Sequence, residues 1–222
     1  MKSNEELQKD VQNAIKWEPL LKAAEIGVTA KDGVVSLTGV VDCYAKKMEA
    51  ENAAKKVIGV KALVEKIEVS LPHEWARTNG EIADEVLAAL KANLTVPNDK
   101  VMVKVENGWI TLEGELPWNF QKEAAKKTVN YLLGVKGVTN NITIKSNTNE
   151  AIEKADVEAT IGRSWTVDDR DIEVSVSGTT VTLSGTVNSW YQRDEAARIA
   201  WNTPGIWHVK NELAVDYEYV FS

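Results

Sequence analysis

The sequence predicts an α+β protein built from three tandem αββαβ modules, each with two helices packed on one face of a three-stranded mixed sheet. Three observations predict this fold. A strand-like segment that ends in glycine occurs three times, and a second glycine follows 20 residues after each of them. Shifts of 75 and 71 residues superpose about sixty residues three times without a gap. Such internal self-similarity is the sequence signature of a repeated structural unit.

The repeated positions set the predicted module boundaries at 1–71, 79–146 and 150–217. Two glycines in each module are predicted to be structural, and in chain order they are Gly39 and Gly59, Gly114 and Gly134, and Gly185 and Gly205. A side chain at the first glycine of each pair is expected to collide with the following helix, and glycine avoids that collision. The second glycine of each pair is expected to cap the C-terminus of this helix.

Each predicted element has its own local signal. Leu7, Val11 and Ile15 recur at intervals of four, which predicts an amphipathic first helix, and the pattern returns 75 residues later. The third copy of this helix, which contains Ile152, Val157 and Ile161, is less regular. Two strands with alternating apolar residues follow, and the dipeptides between them favour a tight hairpin because the turn needs positive φ. These dipeptides are Asp32-Gly33, Asn107-Gly108 and Ser177-Gly178. An alanine-rich second helix and a last strand close the module.

Composition and charge exclude several classes of protein. The 222 residues include 26 Lys or Arg and 33 Asp or Glu, and the net charge of −7 argues against tight, non-specific nucleic-acid binding. Residues 147–222 hold 6 basic and 13 acidic groups, whereas residues 1–146 are neutral overall. No apolar run approaches the roughly 18 residues of a membrane span. The charged start, without an apolar signal segment, predicts a cytoplasmic location, with a periplasmic location as the alternative if a leader has been removed.

Residue types that commonly carry catalysis are scarce. The chain has 2 histidines and 1 cysteine, and Cys43 aligns with Trp118 and Ser189, so the module does not require a thiol. The acidic segment from Asp168 to Asp171 lacks the spacing of a calcium loop and aligns with an ordinary turn in the second module. No glycine pattern for phosphate or dinucleotide binding occurs. The sequence therefore predicts no enzyme activity, no catalytic residue, no metal and no cofactor.

The αββαβ order, the glycine-terminated strand segment at Val34–Gly39 and the late Gly-Val pair at Gly134 resemble the BON domain. This family is named for bacterial osmotic-stress and nodulation proteins. The most similar lines run over 28–42 and 134–140, and the resemblance covers residues about 4–70, 79–145 and 150–216. The resemblance implies a non-enzymatic module that contacts phospholipid or membrane surfaces and is associated with envelope stress. Many members carry two copies, whereas this chain has three.

Aromatic residues gather where the second strand of a module ends and the second helix begins, and a basic residue follows at one aligned position. The aromatic residues are Tyr44, Trp118, Phe120, Trp190 and Tyr191, and the basic residues are Lys47, Lys122 and Arg193. Rings beside cations suit a lipid headgroup boundary, where rings meet apolar atoms and cations meet phosphate. Alternatively, the rings only cover small cores or pack one module on the next. Trp109 is predicted on the opposite sheet face, where we expect it to contact a neighbouring module.

Two functions are compatible with this sequence. The first is a binding or scaffolding protein of the BON type that contacts phospholipid or membrane surfaces in a stress response. The second is a structural adaptor or oligomer whose aromatic surfaces mediate only protein–protein contacts, including self-association. Nucleic acid is not an expected partner in either case.

Overall fold

The computed structural model describes residues 2–145, 154–162, 171–203 and 205–215. In these residues, three repeats each form a separate sheet accompanied by helices, which confirms the predicted α+β class. The first sheet has three strands. The second and third have four, because the last strand of each repeat is split into two short segments.

The first repeat begins with a capped amphipathic helix. Its elements are α1 (Asn4–Lys16), β1 (Ile26–Lys31), β2 (Val34–Val41), α2 (Tyr44–Lys55) and β3 (Ala62–Val69). The Glu6 amide donates to the Ser3 hydroxyl at 3.1 Å, and the Ser3 amide donates to the Glu6 carboxylate at 2.8 Å, which forms a capping box. Leu7, Val11 and Ile15 of α1 are buried, as their spacing predicts. β1 is antiparallel to β2, and β3 lies on the other side of β2.

In the second repeat, a local hydrogen-bond pattern interrupts the last strand. The elements are α3 (Asn79–Ala92), β4 (Val101–Glu106), β5 (Trp109–Leu116), α4 (Asn119–Val129), β6 (Gly137–Asn140) and β7 (Thr143–Ile144). β4 is antiparallel to β5, and both β6 and β7 are parallel to it. Between β6 and β7, the Asn140 side chain accepts from the Ile142 amide at 3.3 Å, and the Asn141 amide donates to the Leu112 carbonyl at 2.8 Å. The predicted last strand is therefore present in two pieces.

The third repeat has the same order of elements. They are α5 (Lys154–Gly162), β8 (Ile172–Ser177), β9 (Thr180–Val187), α6 (Trp190–Ala200), β10 (His208–Asn211) and β11 (Ala214–Val215). β8 is antiparallel to β9, whereas β10 and β11 are parallel to it. Val157 of α5 is fully buried, and Ile152 lies outside the described residues.

The tight hairpins follow the prediction in two repeats and differ by one residue in the third. The turn residues with positive φ are Asp32 (52°), Gly33 (84°), Asn107 (50°) and Gly108 (82°). In the third repeat, Ser177 pairs with Thr180, so the turn residues are Gly178 and Thr179 and the predicted Ser177-Gly178 turn is wrong. There, Gly178 has a φ of 60°. Glycine at the first central position is typical of a II′ turn, which explains why the second position accepts threonine.

The strand glycines prevent a clash with the backbone of the residue that directly precedes the neighbouring strand, which corrects the expectation that the following helix crowds them. Their φ angles are 143° at Gly39, 141° at Gly114 and 108° at Gly185. A Cβ atom at Gly114 would overlap the carbonyl oxygen of Lys100, and one at Gly185 would overlap that of Asp171. These obstacles are backbone atoms, so no side-chain rotation relieves them.

The second glycine of each pair does not cap the preceding helix, so that prediction is wrong. α4 ends at Val129 with Asn130 as its C-cap, and α6 ends at Ala200 with Trp201 as its C-cap. Gly134 lies further along the chain with a φ of 81°. A Cβ there would be 2.8 Å from the Arg77 Cβ, so glycine allows the chain to pass close to the segment that precedes α3.

Contacts between Cα atoms group the described residues into two compact units. One takes its residues from Met1–Gly39, Met48–Ile67 and Thr148–Ser222, and the other from Val40–Lys47 and Glu68–Asn147. In the latter unit, Tyr44 packs against the buried cluster of the second repeat. In the former, Lys55 Nζ of the first repeat lies 3.7 Å from Asp194 Oδ2 of the third. Each unit therefore contains a contact between repeats, and the module boundaries stay a prediction.

Candidate functional site

Aromatic residues lie at the start of α4, which has no side-chain cap. Trp118 is the N-cap residue of α4, is half-buried, and makes no capping hydrogen bond through its side chain. Phe120, in the first turn, is 51% exposed. Helices usually begin with a residue whose side-chain oxygen accepts from a backbone amide, and tryptophan has no such atom. A position that breaks a local rule in this way is a candidate for a functional role.

The corresponding helix start in the third repeat is well capped. The Ser189 hydroxyl accepts from the Gln192 amide at 3.2 Å, and the Gln192 side chain accepts from the Asn188 amide at 2.8 Å. The two aromatic residues that follow Ser189 are partly covered: Trp190 is half-buried, and Tyr191 is 38% exposed.

Proline explains why the second repeat cannot build the same cap. Pro117 aligns with Asn188, and proline has no backbone N–H to donate. Gln121 aligns with Gln192, and its buried side-chain oxygen has no hydrogen-bond partner. The start of α4 therefore has fewer side-chain capping hydrogen bonds than the start of α6.

In the first repeat, the predicted contact residue Tyr44 packs against another part of the same chain. Tyr44, the first residue of α2, is half-buried against the cluster of the second repeat. Lys47 is also half-buried. Nearby, Lys46 Nζ is 2.7 Å from Asp42 Oδ2. The aromatic residues at the three helix starts therefore have three different surroundings.

The basic residues at the aligned helix position also differ. The Arg193 guanidinium donates to the carbonyls of Leu213 at 3.0 Å and Asn211 at 2.9 Å, so it ties α6 to the last strand. The Asn211 side chain donates back to the Arg193 carbonyl at 2.7 Å. Lys122 is half-buried, and burial lowers the pKa of its amine because desolvation disfavours the charged form. In this repeat, the Asn140 side chain donates to the Lys122 carbonyl at 2.9 Å.

Two other lysines supply positive charge at the start of α4. A surface cleft of about 370 Å³, called the basic cleft here, is lined by Lys100, Glu115, Pro117 and Lys145. Lys145 Nζ lies 3.7 Å from Glu115 Oε2, and both side chains are largely exposed. Among the lining residues that the structure describes, two ammonium groups outnumber one carboxylate, so this part of the lining carries a net positive charge.

The lysines of the basic cleft were not among the predicted site residues, although a signal for them exists in the sequence. Position 100 is Glu25 in the first repeat and Asp171 in the third, and position 145 is Ser70 and Asp216. Only the second repeat therefore has a base at both positions. An aligned comparison of charge at the strand ends, rather than at the helix, would have found them.

Trp109 packs across its own sheet. It pairs with Gly137 of β6, and a Cβ on Gly137 would overlap the indole ring, so the ring lies over this glycine. The side chain is 49% exposed. The expected contact with a neighbouring module stays a prediction.

The remaining candidate groups are the single cysteine and the acidic side chains. Burial raises the pKa of the Cys43 thiol, which disfavours the reactive thiolate. Among the residues that the structure describes, no three His, Cys, Asp or Glu side chains lie together in a way that could hold a metal ion. Asp168, Asp169 and Arg170 lie outside the described residues. None of the described helices is long and apolar enough to cross a membrane.

The repeats correspond to a known family. Residues 3–70, 78–146 and 149–217 match the model of the BON domain. The chain belongs to the BON domain family. This BON protein is 31% identical over 130 residues to the osmotically-inducible protein Y of Escherichia coli (strain K12), a match that covers 56% of this chain and 64% of the relative.

Solved structures add only a weak likeness. The C-terminal domain of CdsD, a structural protein of the type III secretion system of Chlamydia trachomatis, is 16% identical and matches with a TM-score of 0.25. The match covers 96% of this chain and 98% of that domain. A second structure of CdsD is 17% identical with the same TM-score, and its match covers 96% of this chain and 94% of that chain. A likeness at this level carries no argument about function.

Proposed function

We propose that this BON protein is a non-enzymatic, stress-related protein that binds membrane surfaces, and that the start of α4 in the second repeat makes the main contact. The observation that carries the proposal is that exposed Phe120 and the N-cap residue Trp118 directly follow Pro117, which lines a positively charged cleft. An aromatic ring at the end of a small domain can enter the boundary between headgroups and acyl chains. Cations beside it are attracted to an anionic leaflet.

The differences among the repeats favour the second one. Tyr44 of the first repeat is already packed against protein, and Arg193 of the third is hydrogen-bonded to backbone carbonyls. Residues 147–222 also hold 13 acidic against 6 basic groups, which opposes approach to an anionic surface. Trp190 and Tyr191 are therefore proposed to make a weaker contact than Trp118 and Phe120. The stress-related role is supported by the match to the osmotically-inducible relative.

A second candidate function is that of a structural adaptor. It is favoured by Tyr44, which packs one repeat on another, and by the ion pair between Lys55 and Asp194. In this case, the aromatic surface of α4 would bind protein, including a second copy of the chain. The cytoplasmic location stays a prediction under both functions.

Vesicle co-sedimentation of the full chain tests the membrane function. We expect binding to vesicles that contain phosphatidylglycerol to exceed binding to pure phosphatidylcholine vesicles by about 10-fold or more, because each base near the surface contributes about 1 kcal/mol. The difference should shrink as NaCl rises, since the Debye length is about 8 Å at physiological ionic strength. No sedimentation with either vesicle, together with concentration-dependent self-association that Phe120→Ser abolishes, would support the adaptor instead.

A further inference from the structure

We propose that the basic cleft of the second repeat binds the phosphate group of an anionic phospholipid, and that Lys100 and Lys145 are the residues that bind it. The proposal rests on the membrane function proposed above and adds to it the chemistry of the ligand and the residues that hold it. It separates a phosphate-binding cleft from the aromatic residues beside it.

Three distant chain segments build the cleft. Lys100 directly precedes β4, Glu115 and Pro117 lie at the end of β5, and Lys145 directly follows β7. The strand register brings these ends together, because Val101 pairs with Gly114. On the other side of β5, the Lys145 amide donates to the Leu116 carbonyl at 2.9 Å. The ordered sheet, rather than a mobile loop, therefore positions the backbone that carries both lysines.

The size and charge of the cleft suit one phosphate group with its glycerol. A volume of about 370 Å³ is at the lower end of the roughly 300–1,000 Å³ of small-molecule sites. Lysine binds phosphate as a compact cation with three donors, and two lysines on opposite sides of a cleft can contact different oxygens of one phosphate. The adjacent N-terminus of α4 lacks a side-chain cap, and its partial positive charge favours the same anion.

Glu115 gives the cleft a built-in competitor. Its carboxylate oxygen Oε2 is 3.7 Å from Lys145 Nζ. An arriving phosphate must share or displace this carboxylate, so Glu115 opposes binding. A neutral residue of the same shape at position 115 is therefore expected to strengthen binding, which a purely structural role of the ion pair does not predict.

The surroundings favour a lipid over a free phosphate as the source of the ligand. Pro117 lines the cleft, and Trp118 and the half-exposed Phe120 follow it in the chain. An apolar surface beside a phosphate site suits a ligand with acyl chains. Inorganic phosphate gains nothing from these rings, so we expect it to compete only weakly.

The test measures vesicle affinity of the full chain with matched lysine variants. On phosphatidylglycerol vesicles, Lys100→Gln and Lys145→Gln should each weaken binding about five-fold. Lys136→Gln is the control: it removes the same charge from an exposed position at the hairpin end of the sheet. It should change binding less than about two-fold. Glu115→Gln should tighten binding. Glycerol phosphate and inorganic phosphate are added in separate arms to identify the source of the phosphate.

The outcomes distinguish the two proposals. The phosphate site would be overturned if the wild type binds vesicles and all three lysine variants weaken binding equally. The membrane function would still stand in that case. Absence of wild-type binding to any vesicle overturns both. If micromolar inorganic phosphate displaces the protein from vesicles, or binds in their absence, the site belongs to a soluble phosphate and the lipid assignment is wrong.

Discussion

Gly114→Ala is expected to lower the free energy of unfolding of the second repeat by about 3 kcal/mol or more. Even the smallest side chain would place its Cβ onto the Lys100 carbonyl oxygen, and the φ of 141° at this position is strained for any other residue. The overlap is between two backbones that the β4–β5 ladder holds together, so relief requires the two strands to separate. A change of this size is a large share of the stability of a small domain.

Gly80→Ala is the matched control for this prediction. Gly80 lies in α3 of the same repeat, and the nearest described atom to a Cβ there would be the Thr78 hydroxyl oxygen, at 4.0 Å. Alanine should therefore be neutral or stabilise by up to about 1 kcal/mol, since glycine is a poor helix former. Urea unfolding of the full chain, combined with hydrogen exchange of the β5 amides, reports the effect. Equal urea midpoints and equal β5 protection in the two variants would show that the strand glycine is not crowded.

Phe120→Ser is expected to weaken binding to anionic vesicles by about 5-fold. Complete transfer of a phenylalanine side chain out of water is worth roughly 1.5–3 kcal/mol, and about half of that is available here because the side chain is 51% exposed. Among the described residues, this ring is the exposed aromatic group closest in sequence to the basic cleft. The fold should tolerate the change, because about half of the ring is already in contact with solvent.

Tyr131→Ser provides the control for the loss of an exposed ring. Tyr131 is 56% exposed and belongs to the same repeat, but it follows the C-terminal end of α4 rather than its start. Its replacement should leave vesicle affinity unchanged. A similar loss in both variants would mean that binding depends on general surface hydrophobicity and not on the start of α4.

Local signals in the sequence were sufficient to predict the fold. The positive φ of Asp32-Gly33 is a property of the dipeptide, and the buried face of α1 follows from the spacing of Leu7, Val11 and Ile15. Gly114 was identified by its recurrence, but the group it avoids was not, because the Lys100 carbonyl becomes its neighbour only through strand pairing. The one-residue error at the third hairpin has the same origin, since the register of β8 and β9 decides it.

The candidate site was predicted only in part, because its charged residues are distant in sequence. Trp118 and Phe120 could be found as a local cluster at a helix start. Lys100 and Lys145 are 45 positions apart, and the sheet brings them into one cleft. Arg193 was predicted to contact a lipid headgroup because of its charge. In the structure, its guanidinium instead donates to carbonyls 18 and 20 residues away. Contacts of this kind do not leave a periodic pattern in the sequence.

The most direct measurement of the central claim is the depth of labelled residues in a membrane. In a Cys43→Ser background, Phe120→Cys or Asn107→Cys would carry the same apolar fluorophore, and the full chain would be mixed with anionic vesicles that contain spin-labelled lipids. Position 120 lies at the start of α4, and position 107 lies in the hairpin turn at the other end of the sheet. We predict strong quenching and a blue shift at position 120 and neither at position 107. Quenching at position 107, or none at position 120 while the protein is bound, would contradict the account.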